Sequence, residues 1–206
     1  MTIADCAALL VFLLPLAFSP GPGNAFFAGI GATRGVRAAI PALASYHVAT
    51  FVVTALLGFG MGVTVLRLPA VAQTLAILGG AYVLWLAWGF FRSARSEATS
   101  DREAPARSIG FWSGAVVLLL NPKAYYIIAV MFTQFLRPPL DDDVGSVLVI
   151  SALFTLNNLV AFVVWALAGR GLAALFRSGR SKKWIDYAFA ATLVGVAVWM
   201  ALPIFA

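Results

Sequence analysis

Charge is scarce in this chain of 206 residues, and acidic charge most of all. Asp and Glu together number 8, charged residues make up 11%, and hydrophobic residues make up 62%. A soluble domain carries about 25% charged residues, so a water-soluble fold is excluded almost throughout. No carboxylate falls in the core of an apolar stretch. Asp5 lies near a stretch end, and Asp141, Asp142 and Asp143 form an acidic loop. A carboxylate relay for protons is therefore not expected. Cys6 is the single cysteine and His47 the single histidine. That excludes an intrachain disulfide, a dithiol redox centre and a cysteine-rich metal site. No metal or cofactor is expected.

Long apolar runs are what the chain has in abundance. A membrane span needs roughly 20 apolar residues to cross about 30 Å of hydrocarbon. Six stretches qualify, at about 3–32, 39–66, 70–92, 109–136, 144–169 and 184–205. All should be helices, because an unpaired backbone is too costly in lipid. The N-terminus Met1-Thr2-Ile3-Ala4-Asp5 lacks the basic region of a signal peptide, so the first stretch is expected to be retained. The expected fold is an all-α integral membrane protein of six transmembrane helices. Residues 1–92 form a first three-helix repeat, 93–108 a polar cytoplasmic linker, and 109–206 a second repeat. With three spans each, the repeats enter the membrane from opposite sides and are inverted.

The net charge of +6 does not point to nucleic acid, because the basic residues lie in short loops. Arg34, Arg37, Arg92, Arg95, Arg102, Arg107, Arg170, Arg177, Arg180, Lys182 and Lys183 follow spans one, three and five, whereas Arg67 and Arg137 lie on the other side. The positive-inside rule then places both termini outside the cytoplasm, with some attraction of the basic loops to anionic lipid.

Spans one and four are expected to be broken. Ser19-Pro20-Gly21-Pro22-Gly23-Asn24 interrupts the first and Asn121-Pro122-Lys123 the fourth. A proline inside a helix removes a donor and clashes with the preceding turn. Matched breaks in two halves point to a transporter's binding site. The helix restarting near Asn24 would offer free N–H groups and a positive dipole end to a carboxylate. Asn24 would add an amide. The alternative is a kink that only shapes packing. Lys123 sits near the centre of span four, where a cation costs roughly 2.5–3.5 kcal/mol. It is read as a ligand for an anionic group or a titrating site. The alternative is a structural cation capped by carbonyls of the broken helices.

Polar residues recur at helical spacing beside the breaks. His47, Thr50 and Thr54 share one face of span two, and Ser151, Thr155 and Asn158 share one face of span five. They are expected to line a polar cavity, although small polar groups also glue helices together. Asn158 continues its stripe and Asn157 does not. His47 titrates near neutral pH when unperturbed and joins Lys123 as a candidate coupling group; a hydrogen-bonded structural histidine is the alternative. Tyr82, Trp85 and Trp88 read as packing or an interfacial belt. The pairs Gly58/Gly62 and Gly110/Gly114 permit close helix contacts.

Pro20-Gly21-Pro22-Gly23-Asn24-Ala25-Phe26 and Asn121-Pro122-Lys123-Ala124, with the length, the six-span hydropathy and the polar middle loop, resemble the LysE/RhtB family of amino-acid exporters. The resemblance covers essentially the whole chain. It implies proton-gradient-driven efflux of amino acids or close derivatives across a bacterial cytoplasmic membrane, and it suggests homodimers. Two departures bear on the substrate. Gly23 stands directly after Pro-Gly-Pro, where many members have Asp or Asn. Ser45-Tyr46-His47-Val48 stands where many carry an acid. A neutral amino acid therefore fits better than a dibasic one. The expected substrate-binding residues are Pro20, Gly21, Pro22, Gly23, Asn24, Asn121, Pro122, Lys123 and Asn158. A divalent metal-ion exporter is the nearest alternative, but it lacks His, Cys or core carboxylate ligands. An intramembrane serine protease is fainter still, because the run Gly110-Phe111-Trp112-Ser113-Gly114 misses the needed Gly-x-Ser-Gly spacing. A passive channel would differ in showing flux independent of the proton gradient. An enzyme is not expected.

Overall fold

A computed structural model describes residues 1–60, 69–95, 110–136, 144–175 and 179–205. Within them the chain forms eight helices: α1 (Ile3–Phe18), α2 (Pro22–Arg34), α3 (Val36–Gly58), α4 (Pro69–Arg95), α5 (Phe111–Leu119), α6 (Pro122–Phe135), α7 (Val144–Leu175) and α8 (Gly179–Phe205). No strand occurs among the described residues. The expected linker falls almost wholly outside them. So do Gly62, Arg67, Arg102, Arg107, Arg137, Arg177 and the acidic loop at Asp141, Asp142 and Asp143.

Local chemistry explains where the helices begin and end. Thr2 caps α1 in a reciprocal box: its hydroxyl accepts from Asp5 N at 3.2 Å, and Asp5 Oδ2 accepts from Thr2 N at 2.9 Å. Ser19 ends α1 in extended backbone (φ −66°, ψ 141°), as expected of a residue held out of the α region by the proline after it. Pro22 then opens α2 at a first-turn position, where its missing N–H costs nothing. The break is therefore tighter than the sequence suggests, because the second proline starts a helix and does not disrupt one. Pro122 opens α6 in the same way, after Asn121, whose side chain accepts from Lys123 N at 3.2 Å. The two broken pairs bend by nearly the same angle, 62° between α1 and α2 and 63° between α5 and α6. Gly35, at φ +82°, turns the chain from α2 into α3 in a backbone region that side chains rarely tolerate.

Val36–Gly58 and Val144–Ala174 are each long and apolar enough to cross a membrane, and each bent pair meets the test as one broken span. The helices α4 and α8 pack on each other and contain shorter apolar stretches, Ile77–Gly89 and Tyr187–Val198. The described residues thus hold two to four candidate spans.

The core runs along α2, whose first ten residues, Pro22 through Gly31, are all buried. A helix buried on every side needs neighbours that approach closely, and small residues allow this. A Cβ at Gly31 would land on the Ala166 carbonyl of α7, and one at Gly169 would land on the Ala28 carbonyl of α2. Gly114 of α5 meets Ala42 of α3 in the same way. Gly58 lies against Phe132 and Val147. Large apolar side chains such as Val11, Val52, Leu156 and Val160 point outward and are exposed. Tyr82 and Trp85 stack at 5.5 Å on α4, and both Trp85 and Trp88 are exposed.

Candidate functional site

The break in span one leaves the last carbonyls of α1 without partners from their own helix. Each partner can be named for most of them. Ser19 N donates to Pro15 O at 2.9 Å, and Ser19 Oγ donates to Leu16 O at 2.8 Å. Asn24, reaching back from α2, donates Nδ2 to Ala17 O at 2.8 Å. From the other broken span, Lys123 reaches the carbonyls that follow. Its Nζ donates to Ser19 O and to Ser19 Oγ, both at 2.8 Å, and to Pro20 O at 3.4 Å. A cation suits the negative end of a helix.

Lys123 therefore occupies the geometry of its structural alternative, a cation held by the carbonyls of a broken helix. That geometry also brings the two breaks together. The Lys123 chain lies against Gly21, where a Cβ would come within 3.1 Å of Cδ and 3.2 Å of Nζ. The ammonium thus sits beside the N-terminus of α2, where the N–H groups of Gly23 and Asn24 lie in the unpaired first turn. Cationic charge, free donors and exposed carbonyls meet there. Such a place can take a carboxylate and an amine at once.

The other expected site residues are partly gathered around this point. Asn121 is buried and lies beside the buried Tyr46 hydroxyl. Tyr46 packs on Phe27 and Phe162, with ring centroids at 5.7 and 4.8 Å, and on His47 at 5.3 Å. Phe162 also closes over Gly23, where a Cβ would meet its ring tip at 2.6 Å. The Asn158 backbone carbonyl approaches the His47 ring without completing a hydrogen bond. Ser19, Tyr46 and Phe162 were not among the expected site residues. Ser19 was visible as part of the first break. Tyr46 carried a weaker signal, a phenol in an apolar span next to the only histidine. Phe162 carried none.

The polar stripes are buried apart from Thr155, which is half-buried. Thr50 Oγ1 donates to Tyr46 O at 2.7 Å, Ser151 Oγ to Val147 O at 2.8 Å, and Thr155 Oγ1 to Ser151 O at 2.7 Å. These bonds return each hydroxyl to its own helix. Ser45 Oγ reaches Ala42 O of its own helix at 3.2 Å and also binds across helices, to Phe111 O and from Ala115 N at 3.2 Å. A groove of about 300 Å³ lies elsewhere, lined by Trp88, Phe91, Arg92 and Arg95 of α4.

The chain matches the family model of the LysE type translocator over residues 14–203. It is 30% identical over 203 residues to a protein of Klebsiella pneumoniae, covering 96% of this chain and 97% of the relative. It is 32% identical to one of Salmonella choleraesuis and 28% identical to one of Escherichia coli, each covering 86% of this chain and 88% of the relative. All three relatives are described as cysteine/O-acetylserine efflux proteins. No solved structure matches the chain. With its apolar helices and two matched breaks, the chain belongs to the LysE type translocator family and is a membrane transporter of the amino-acid efflux class, not an enzyme.

Proposed function

We propose that this protein exports a small neutral amino acid or derivative, of the cysteine or O-acetylserine kind, across the bacterial cytoplasmic membrane, driven by the proton gradient. The observation that carries the reading is the reach of Lys123 Nζ from one broken span to Ser19 O and Pro20 O of the other. The substrate carboxylate binds between Lys123 and the N-terminus of α2 at Pro20, Gly21, Pro22, Gly23 and Asn24. Its amine takes the Ser19 and Pro20 carbonyls when the lysine turns to the carboxylate. Asn121, Pro122 and Asn158 complete the surroundings. The lack of a core carboxylate disfavours a dibasic substrate.

Six spans serve this function as two inverted repeats, residues 1–92 and 109–206, joined by a cytoplasmic linker at 93–108. Both termini face away from the cytoplasm. The Met1 amino group donates to Ser146 Oγ at 3.4 Å, so spans one and five begin on the same side, as six crossings require; the orientation itself rests on the basic loops. Lys123 and His47 are the candidate coupling groups. The protein works alone or as a homodimer in lipid, with protons as the co-substrate and no nucleic acid partner.

The test is flux of labelled O-acetylserine in vesicles containing the full chain. Acceleration by an imposed pH gradient supports the reading. Protection of expressing cells against divalent metals alone, without amino-acid flux, would point to metal export instead.

A further inference from the structure

Two observations set the register between α3 and α7. His47 faces the Asn158 carbonyl, and Gly58 faces Val147. Gly58 lies eleven residues beyond His47, and Val147 eleven residues before Asn158. The helices are therefore antiparallel and in step. In that register Thr50, three beyond His47, falls level with Thr155, three before Asn158. Thr54, seven beyond, falls level with Ser151, seven before. The polar stripes thus stand level rung for rung. His47, Thr50, Thr54, Ser151 and Asn158 are all more than nine-tenths buried.

Two atoms in this seam have no hydrogen-bond partner among the described residues, His47 Nε2 and Thr54 Oγ1. A buried polar atom without a partner calls for an explanation. The His47 tautomer supplies one. Nδ1 lies 2.6 Å from Leu43 O. A carbonyl only accepts, so Nδ1 carries the hydrogen and neutral His47 keeps its lone pair on Nε2. That lone pair meets the Asn158 carbonyl, another acceptor. Adding a proton to Nε2 turns this mismatch into a charge-assisted hydrogen bond. Successive rungs are about 5–6 Å apart along the helices, a gap that one water would bridge between hydroxyls.

We propose that the α3–α7 seam is the proton path of the exporter. Thr54–Ser151 and Thr50–Thr155 lead a proton from the Gly58 end of α3 to His47. Nε2 takes it from the last hydroxyl or water, and Asn158 O receives the new N–H. On the side toward the breaks, the His47 ring packs on Tyr46 at 5.3 Å, and the Tyr46 hydroxyl meets Asn121, whose side chain accepts from Lys123 N. The titratable and charged groups around this step are Tyr46 on α3 and Lys123 and Tyr125 on α6. Phe162 and Asn158 face it from α7. Asp5, the one carboxylate among residues with described side chains, lies in the first turn of α1, on the side where the Met1 amino group meets Ser146, next to Val147 at the Gly58 end of the seam. The path rests on the export reading above.

His47 is the only histidine, so its ring nitrogens can be followed alone by nitrogen-15 NMR of histidine-labelled full chain in vesicles. A pH series should show Nε2 gain a proton while Nδ1 stays protonated. Replacing Thr54→Val together with Ser151→Ala should slow hydrogen–deuterium exchange at His47 at least tenfold. Thr54→Ser should leave it within twofold of the unsubstituted chain. Unchanged exchange in the double variant, or a ring that never titrates, would overturn the path. Counterflow of labelled O-acetylserine is measured on the same vesicles. The double variant should keep counterflow and lose at least tenfold of its pH-driven flux. Counterflow absent from the unsubstituted chain would reject the export reading, whereas the exchange data judge the seam. If the double variant fails to insert, Thr54→Val alone, close in shape to threonine, gives the same readout.

Discussion

Lys123 and Ser19, 104 residues apart in sequence, are joined through one ammonium group that donates to both the carbonyl and the hydroxyl of Ser19 at 2.8 Å. The contact ties the start of α6 to the end of α1. It also places a positive charge at the negative pole of one helix and beside the positive pole of the next, α2. The first relation is favourable and the second is not. An anion arriving at the α2 terminus would relieve the second, which is why the site suits a carboxylate.

Lys123→Met should destabilise the chain by about 1.5–3 kcal/mol, the worth of a hydrogen bond to a charged group, because the Ser19 and Pro20 carbonyls lose their donor. It should also abolish substrate binding. Lys123→Arg keeps a charge that persists at all relevant pH, so binding should survive while gradient-driven export is lost. Unfolding in detergent, solute binding, and flux with and without a pH gradient separate these effects. Full gradient-driven export by Lys123→Arg would eliminate a titrating role for this residue.

Pro20→Ala combined with Pro22→Ala should let α1 run on toward α2. The Ser19 and Pro20 carbonyls would then bond within a continuous helix, and the free N–H groups of α2 would be withdrawn. The protein should still insert, with flux reduced at least tenfold. Normal flux would reduce the break to a packing feature.

Gly31→Ala should cost about 1–3 kcal/mol through overpacking, since its Cβ meets the Ala166 backbone, which has little room to yield. Gly89→Ala is the control. Nothing lies within 4 Å of a Cβ there, and alanine is the better helix former. Thermal unfolding should fall for the first substitution and hold or rise for the second.

Gly23→Ala should behave differently from Gly31→Ala. The obstacle is the tip of the Phe162 ring, a side chain that can rotate. We expect a smaller loss of stability but a clear loss of flux, because the ring moves toward Tyr46 and His47. Gly23→Ala with Phe162→Leu should recover part of the flux.

A cysteine at position 100 (Ser100→Cys in a Cys6→Ala background) should resist an impermeant thiol reagent in intact cells, as expected of a cytoplasmic linker. Ready labelling would reverse the orientation.

Both breaks were legible in the sequence because proline acts locally. Its ring and missing N–H restrict the backbone whatever surrounds them. What proline does at each position was less legible. Pro22 and Pro122 open helices, so the interruption shrinks to the residues just before them. The polar stripes were legible as faces, because helical periodicity assigns a face without a partner. Their spacing runs three then four residues on α3 and four then three on α7. Only the antiparallel packing turns that reversed order into matched rungs.

The sequence by itself determined the apolar helices, the two interruptions, the intramembrane lysine and the membership of an exporter family. These follow from composition, backbone sterics and short motifs, which depend on neighbours along the chain. The tertiary structure alone decided which groups satisfy one another. The carbonyl ends of α1 are met by Asn24 and Lys123 because the helices bend by 62° and 63°. His47 Nδ1 is held by Leu43 O, and Nε2 has no partner among the described residues. Such pairings depend on directions and distances between segments far apart in the chain, and no local propensity encodes them.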